Sequence, residues 1–239
     1  MFKKILLTPI VLFHIICFGR NLTGEELINK SIAYHDPNNS WSRFAGDLNI
    51  TMETPNRAPR VSTITLDLQK QYFKNEYGRD GNTITQEINK KNCSILLNKS
   101  QEFTAEEEKT YRLSCEQAKR TRDYYTYLCG LPLKLKDPGT LINPKVEKRS
   151  FKGKDYWFAQ VNYEKEVGED TWYFYFDPST FALEVYQFYH DKSKNEGEYI
   201  LLTEESEVNG IKMPKNRAWY YNKDDAYLGT DFLFKNQTN

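Results

Sequence analysis

Along most of this chain apolar and polar residues take turns one by one. Phe44, Gly46, Leu48, Ile50 and Met52 alternate with polar neighbours, and Ile64, Leu66 and Leu68 do the same, which is the period of a strand with one wet face. Shorter strands are expected from Tyr72 to Tyr77, Ile84 to Ile88 and Cys93 to Leu97, with Arg79-Asp80-Gly81-Asn82 as the hairpin turn between the first two. Two stretches break the alternation. Thr23-Gly24-Glu25-Glu26 is a capping box, after which Leu27, Ile28, Ile32 and His35 share one helical face, and Asp36-Pro37 stops the helix near Tyr34. Thr104 with Glu107, then Ser114 with Gln117, open a second helical region that ends at Gly130-Leu131-Pro132. There Cys115, Ala118, Arg122, Tyr125 and Cys129 form a narrow and rather polar stripe, suited to lie over a sheet or a barrel mouth.

After Asp137-Pro138-Gly139-Thr140, a type II turn sequence, strands run to the end of the chain. Lys152-Gly153 and Asn209-Gly210 mark tight hairpins, and Asp177-Pro178-Ser179-Thr180 turns between two aromatic strands. Short connections require antiparallel pairing. The fold class expected is mainly β (α+β): a curved antiparallel sheet or unclosed β-barrel of about eleven strands, with a short N-terminal helix and a central helical segment covering the concave side.

The first residues carry a different pattern. Lys3 and Lys4 precede an apolar run from Ile5 to Ile16, and Cys17-Phe18-Gly19 ends in small residues at the positions a signal peptidase reads, so residues 1–19 are expected to be an export signal cleaved after Gly19. The run is too short to span a bilayer. Cys17 raises the question of lipidation, but Ile16 occupies the place directly before it, where a lipidation signal needs a small residue, with His14 two positions further back, so an unlipidated periplasmic or secreted protein is expected. Residues 20–239 then form one β domain. The formal charge is balanced, with 33 basic and 33 acidic residues in the whole chain. Without a basic stripe, this balance argues against nucleic acid and against electrostatic docking on anionic lipid. Fifteen per cent aromatic residues, 17 of them tyrosines, point instead to many half-buried strands whose aromatic faces pack inward. An oxidising compartment favours one bridge among Cys93, Cys115 and Cys129. Pairing Cys93 with Cys115 would staple the helical segment to the sheet and leave Cys129 as a buried apolar residue; three reduced thiols is the alternative.

Four stretches carry a family resemblance: Leu22 to Pro37 (LTGEELINKSIAYHDP), Asp137 to Val146 (DPGTLINPKV), Trp172 to Tyr189 (WYFYFDPSTFALEVYQFY), and Gly197 to Asp231 with its VNGIKMPK and YYNKDDAYLGTD. They resemble an exported Bacteroidota family of unknown function. The order of strands, helix and long hairpins also resembles, more distantly, the LolA/LppX-like fold of periplasmic lipoprotein carriers. That second resemblance implies an unclosed barrel covered by helices and an acyl ligand in the concave face, and it transfers no individual residue.

The chemistry of single residues adds little. His35-Asp36 could serve as a general base with its carboxylate, but no nucleophile is tied to the pair by spacing, and capping of the helix end is the expectation. His190-Asp191 and Asp224-Asp225 fall at strand ends or turns, where solvated polar residues are usual. No catalytic residue, metal or cofactor is assigned. The bulk of the inward faces is more telling. Phe44, Leu48, Ile50, Met52, Ile64, Leu66, Trp172, Phe174, Phe176 and Leu183 are the candidate lining of an apolar cavity, closed by the segment from Ser114 to Gly130. Tyr173 and Tyr175 belong to the opposite face. The reading is of an exported envelope protein that binds or carries a lipid or a lipoprotein acyl chain. An envelope structural or interaction protein, and then an envelope hydrolase, are the alternatives.

Overall fold

The computed structural model describes residues 22–234, so the expected export signal lies outside the described residues. One sheet dominates. It has twelve strands, β1 (Ala45–Thr54), β2 (Arg57–Asp67), β3 (Tyr72–Arg79), β4 (Asn82–Asn89), β5 (Asn92–Leu97), β6 (Thr140–Phe151), β7 (Lys154–Tyr163), β8 (Thr171–Phe176), β9 (Leu183–Asp191), β10 (Glu196–Val208), β11 (Ile211–Tyr221) and β12 (Tyr227–Phe234). They lie in the order β5-β4-β3-β2-β1-β12-β11-β10-β9-β8-β7-β6, every neighbouring pair antiparallel. The chain thus lays down two meanders and joins them where β12 returns to β1. Strands β5 and β6 stand at the two ends and do not pair with each other, which leaves the sheet unclosed.

The count is twelve rather than about eleven because several connections among β7 to β12 are short polar segments without a strong turn signal, such as residues 192–195 and 222–226. Where the signal is strong, it acts as expected. Asp80-Gly81, Lys152-Gly153 and Asn209-Gly210 all take positive φ at both residues, the two-residue turn that matches the twist of the flanking strands. Strand β2 starts well before Ile64 despite Pro59. Its pairing with β3 ends at Ser62 and Tyr77, so the missing N–H of Pro59 breaks no ladder on that side. The overhang bearing Arg57 to Arg60 becomes important below.

Helix α1 (Gly24–His35) begins with the capping box of Thr23 and Glu26. A Cβ on Gly24 would stand 2.1 Å from the Asn143 carbonyl oxygen, so only glycine lets the helix start so close to β6. Beside that contact Thr23 makes an isolated bridge with Lys145, and β6 carries a bulge between Ile142 and Val146. Helices α2 (Ala105–Tyr111) and α3 (Cys115–Gly130) follow the first meander. Ser114 accepts from the Gln117 N–H at 3.2 Å, without the reciprocal half of a box. Cys93 on β5 is bridged to Cys115 at the start of α3, with Cα atoms 5.9 Å apart, and Cys129 is free and buried.

Both helices lie on the same side of the sheet, and the core beneath them falls into two clusters. The first packs Leu48, Ile50, Ile64, Leu66, Phe73 and Ile84 against Ala118, Tyr125 and Cys129 of α3. The second packs Phe174, Phe176, Leu183, Tyr186 and Ile200 against Leu27 and Ile28 of α1 and Leu128 at the end of α3. Tyr173 and Tyr175 do point to the other face, but they are buried there too. Tyr156, Phe158, Tyr173 and Tyr175 shelter one another on the outer side, with Phe151 in contact and the Arg149 guanidinium 3.5 Å from the Phe158 ring centre. No helix is needed to cover that layer, because broad rings and a cationic stem do so.

Candidate functional site

The alternation that makes each strand amphipathic also changes character along its length. On the helix-facing side of β2 the side chains run from Leu66 and Ile64 through Ser62 to Arg60; on β3 they run from Phe73 through Asn75 and Tyr77 to Arg79. The apolar ends lie under α3, while the polar ends extend past it and leave a groove of about 1430 Å³ between the sheet and the helix pair. Met52, Arg60, Asn75 and Tyr77 line the sheet side, and Tyr111, Arg112, Thr121 and Tyr124 the helix side. Tyr111 fixes that wall to the β3–β4 hairpin: its hydroxyl accepts from Asn82 at 2.9 Å, and the Arg79 guanidinium lies 5.6 Å from its ring centre.

The ten candidate cavity residues divide between these environments. Phe44, Leu48, Ile50, Ile64 and Leu66 are buried in the first cluster with Tyr125 of α3, and none of them lines the groove. Met52, half-buried, lines the open volume itself. Phe174, Phe176 and Leu183 are buried in the second cluster, and Trp172 packs beside them, stacked on Phe174 and in edge contact with Tyr127. Of the ten, one lines the groove, five are packed in the first cluster and four lie in or against the second.

The polar lining was missed by reading apolar bulk alone. Arg60, Asn75, Tyr77 and Gln86 continue the same period-two faces as the apolar positions, so that alternation, followed past the last apolar residue, was the available signal. Asn75 and Gln86 are 3% and 1% exposed, and the Asn75 amide donates to Gln86 at 3.2 Å while its Oδ1 has no partner. Arg60 reaches the Tyr125 hydroxyl at 3.4 Å and lies over the Tyr77 ring, with its Nε buried and unpartnered. The register then carries a row inward from Arg60 through Met52 and Asp231 to Arg217. Arg217, 2% exposed, donates to the carbonyls of Pro214 at 3.2 Å and Leu128 at 3.4 Å. Burial pushes the Asp231 carboxyl upward, against the pull of Arg217 and Arg60.

The histidine and carboxylate pairs singled out in the sequence have structural partners. His35 does not merely end α1: Nδ1 donates to the Lys212 carbonyl at 2.7 Å and Nε2 accepts the Leu183 N–H at 2.9 Å, so one ring ties the helix to β11 and β9. Asp36 accepts from the Ser40 and Trp41 N–H groups at 2.7 and 2.8 Å. His190 meets Asp170 at 2.7 Å on the surface, Asp191 caps Ser193, and Asp225 pairs with Lys152 at 2.7 Å. Among the described residues no group of three His, Cys, Asp or Glu could hold a metal ion, and no helix is long and apolar enough to cross a membrane.

An unclosed antiparallel sheet with helices on one side and a groove between them is the LolA-like fold. The chain is similar to a LolA superfamily protein from Nitrosomonas europaea, with a TM-score of 0.51 and 9% identity over 90% of this chain and 93% of that one. It is also similar to a putative outer membrane lipoprotein-sorting protein domain from Vibrio parahaemolyticus, with a TM-score of 0.50 and 9% identity over 88% and 89% of the two chains. Identity this low speaks for architecture alone. No curated protein matches the sequence. The chain belongs to the Family of unknown function (DUF6503), which matches residues 3–236.

Proposed function

We propose that this is an exported envelope protein that binds or carries an apolar ligand, a lipid or the acyl chain of a lipoprotein, on the helix-covered face of its sheet. The observation that carries the reading is the groove of about 1430 Å³, which opens beside α3 and is lined by Met52 and by Tyr77 and Tyr125, the last two packed with the apolar cluster that holds Leu48, Ile50, Ile64 and Leu66. The likeness to a LolA superfamily protein and to a lipoprotein-sorting domain supports it, as does a bridge suited to an oxidising compartment. An acyl chain entering past Met52 would meet those side chains as α3 yields, and the face under α1, with Trp172, Phe174, Phe176 and Leu183, offers a second stretch of the same kind. Each buried methylene contributes about 0.8 kcal/mol, so a ten-carbon segment supplies micromolar binding after ordering costs.

Residues 1–19 are, in this reading, removed on export without lipidation of Cys17. The test is made on the protein recovered from its natural export route. Its intact mass is expected to correspond to a chain beginning at Arg20, organic extraction should release lipid, and a fluorescent fatty-acyl probe should bind saturably. Met52→Glu, which sets a charge in the groove rather than the core, is expected to weaken uptake at least tenfold. A mass that requires a diacylated Cys17 overturns the unlipidated form. Absence of both lipid and saturable uptake overturns ligand carriage in favour of an envelope interaction protein.

A further inference from the structure

The apolar cluster packed with Tyr125 speaks to the tail of a ligand, and the polar groove beside it speaks to the head. We propose that the groove takes an acyl amphiphile with an anionic head group, a carboxylate or a phosphate held at Arg60; this rests on the acyl-binding reading above and specifies its ligand class.

Three observations converge on Arg60. Its Nε is buried with no hydrogen-bond partner, its guanidinium makes only the long 3.4 Å contact with the neutral Tyr125 hydroxyl among the described residues, and it is held over the Tyr77 ring. A desolvated donor on a positioned guanidinium is incomplete, and two parallel bonds to a carboxylate or phosphate would complete it. Charge along the row agrees. Asp231 is a single carboxylate between Arg60 and Arg217, so the row keeps one positive charge in excess at its groove end.

The rim adds to this excess. Arg79 has Asp80 at 3.4 Å and Arg120 has Glu116 at 2.6 Å, whereas Arg57 and Arg112, which also line the groove, meet no carboxylate among the described residues. On the floor, the Asn75 Oδ1 is an acceptor without a donor, placed to accept a hydrogen bond from a hydroxyl or a protonated phosphate oxygen on the head group. The whole chain is charge-balanced, yet its groove is not. Net charge is therefore a poor guide to what this cleft prefers.

The test is a binding series on the exported protein with one acyl length throughout: a fatty acid, the matching lysophosphatidic acid, the matching monoacylglycerol, and inorganic phosphate alone. Both anionic amphiphiles are expected to bind about tenfold or more tightly than the neutral one, and to lose that margin as salt rises. Arg60→Met, which keeps the apolar stem, should lower affinity for the anionic ligands at least tenfold more than for the neutral one and so close the gap between them. Should that variant fail to fold, the wild-type ranking alone still decides. Equal affinity for neutral and anionic ligands overturns the head-group assignment while leaving acyl binding intact. Phosphate binding as tightly as the amphiphiles overturns it in favour of a simple anion site. If no acyl compound of either charge binds, the carrier reading falls and this one with it.

Discussion

His35 shows how one side chain can couple three elements. Both ring nitrogens are engaged, Nδ1 as donor to Lys212 and Nε2 as acceptor from Leu183, which requires the neutral ring. Burial lowers its pKa from the ordinary 6.5, opposed by the Lys212 carbonyl and by Glu205. The folded protein thus binds fewer protons at this residue than the unfolded chain does. Stability from His35 is present above about pH 6.5 and is lost as pH falls through the depressed value. Melting temperature should decline as pH falls below about 6.5 in the wild type and decline less in His35→Gln, even though the variant is less stable at pH 7. Parallel curves for the two proteins would remove His35 from the account. The sequence placed this residue correctly at the end of a helix. It could not show that Leu183 and Lys212, 148 and 177 residues away, would arrive at its two nitrogens.

At the scale of elements, α3 is the piece whose attachment matters most to the groove. Its buried contacts are few, Ala118, Tyr125, Leu128 and Cys129, and long polar side chains cover the rest. Two ties offset this: the bridge from Cys115 to Cys93 at one end, and Arg217 holding the Leu128 carbonyl at the other. Cys93→Ser is expected to cost about 2–4 kcal/mol in denaturant unfolding, with a larger rise in acyl-probe exchange than in overall unfolding rate. Peptide mapping without reduction should recover the peptides of Cys93 and Cys115 linked and Cys129 alkylated; Cys129 in the bridge would refute the arrangement. Helix limits, hairpin turns and the inward faces were legible because capping boxes, Gly turns and period two are local signals. The basic groove was not. Arg57, Arg60, Arg79, Arg112 and Arg120 come from three separate elements and the loops around them, and only the register of β2 with β3 and the placing of α2 and α3 bring them to one cleft. Likewise Tyr175 reads as an outward residue, and nothing local shows that Phe151 and Phe158 will close over it.

For the whole molecule, the lack of closure between β5 and β6 is what makes a groove possible, since a closed barrel of this width would enclose its interior. It also leaves two strand edges, and an open edge is a template for pairing with another chain. β6 answers it at one place. Pro144 sits within the bulge between Ile142 and Val146, Lys145 bridges to Thr23, and Glu147, Lys148 and Arg149 follow in a charged run. A proline offers no N–H, a bulge bends the ladder, and the start of α1 occupies what remains, so a second copy finds no straight row of donors and acceptors to extend. Replacing Pro144 and Lys145 together by valine should restore such a row, and light scattering should then rise with concentration while the wild type stays constant. The open end of the sheet at β6 is thereby kept from becoming the first step of a fibril.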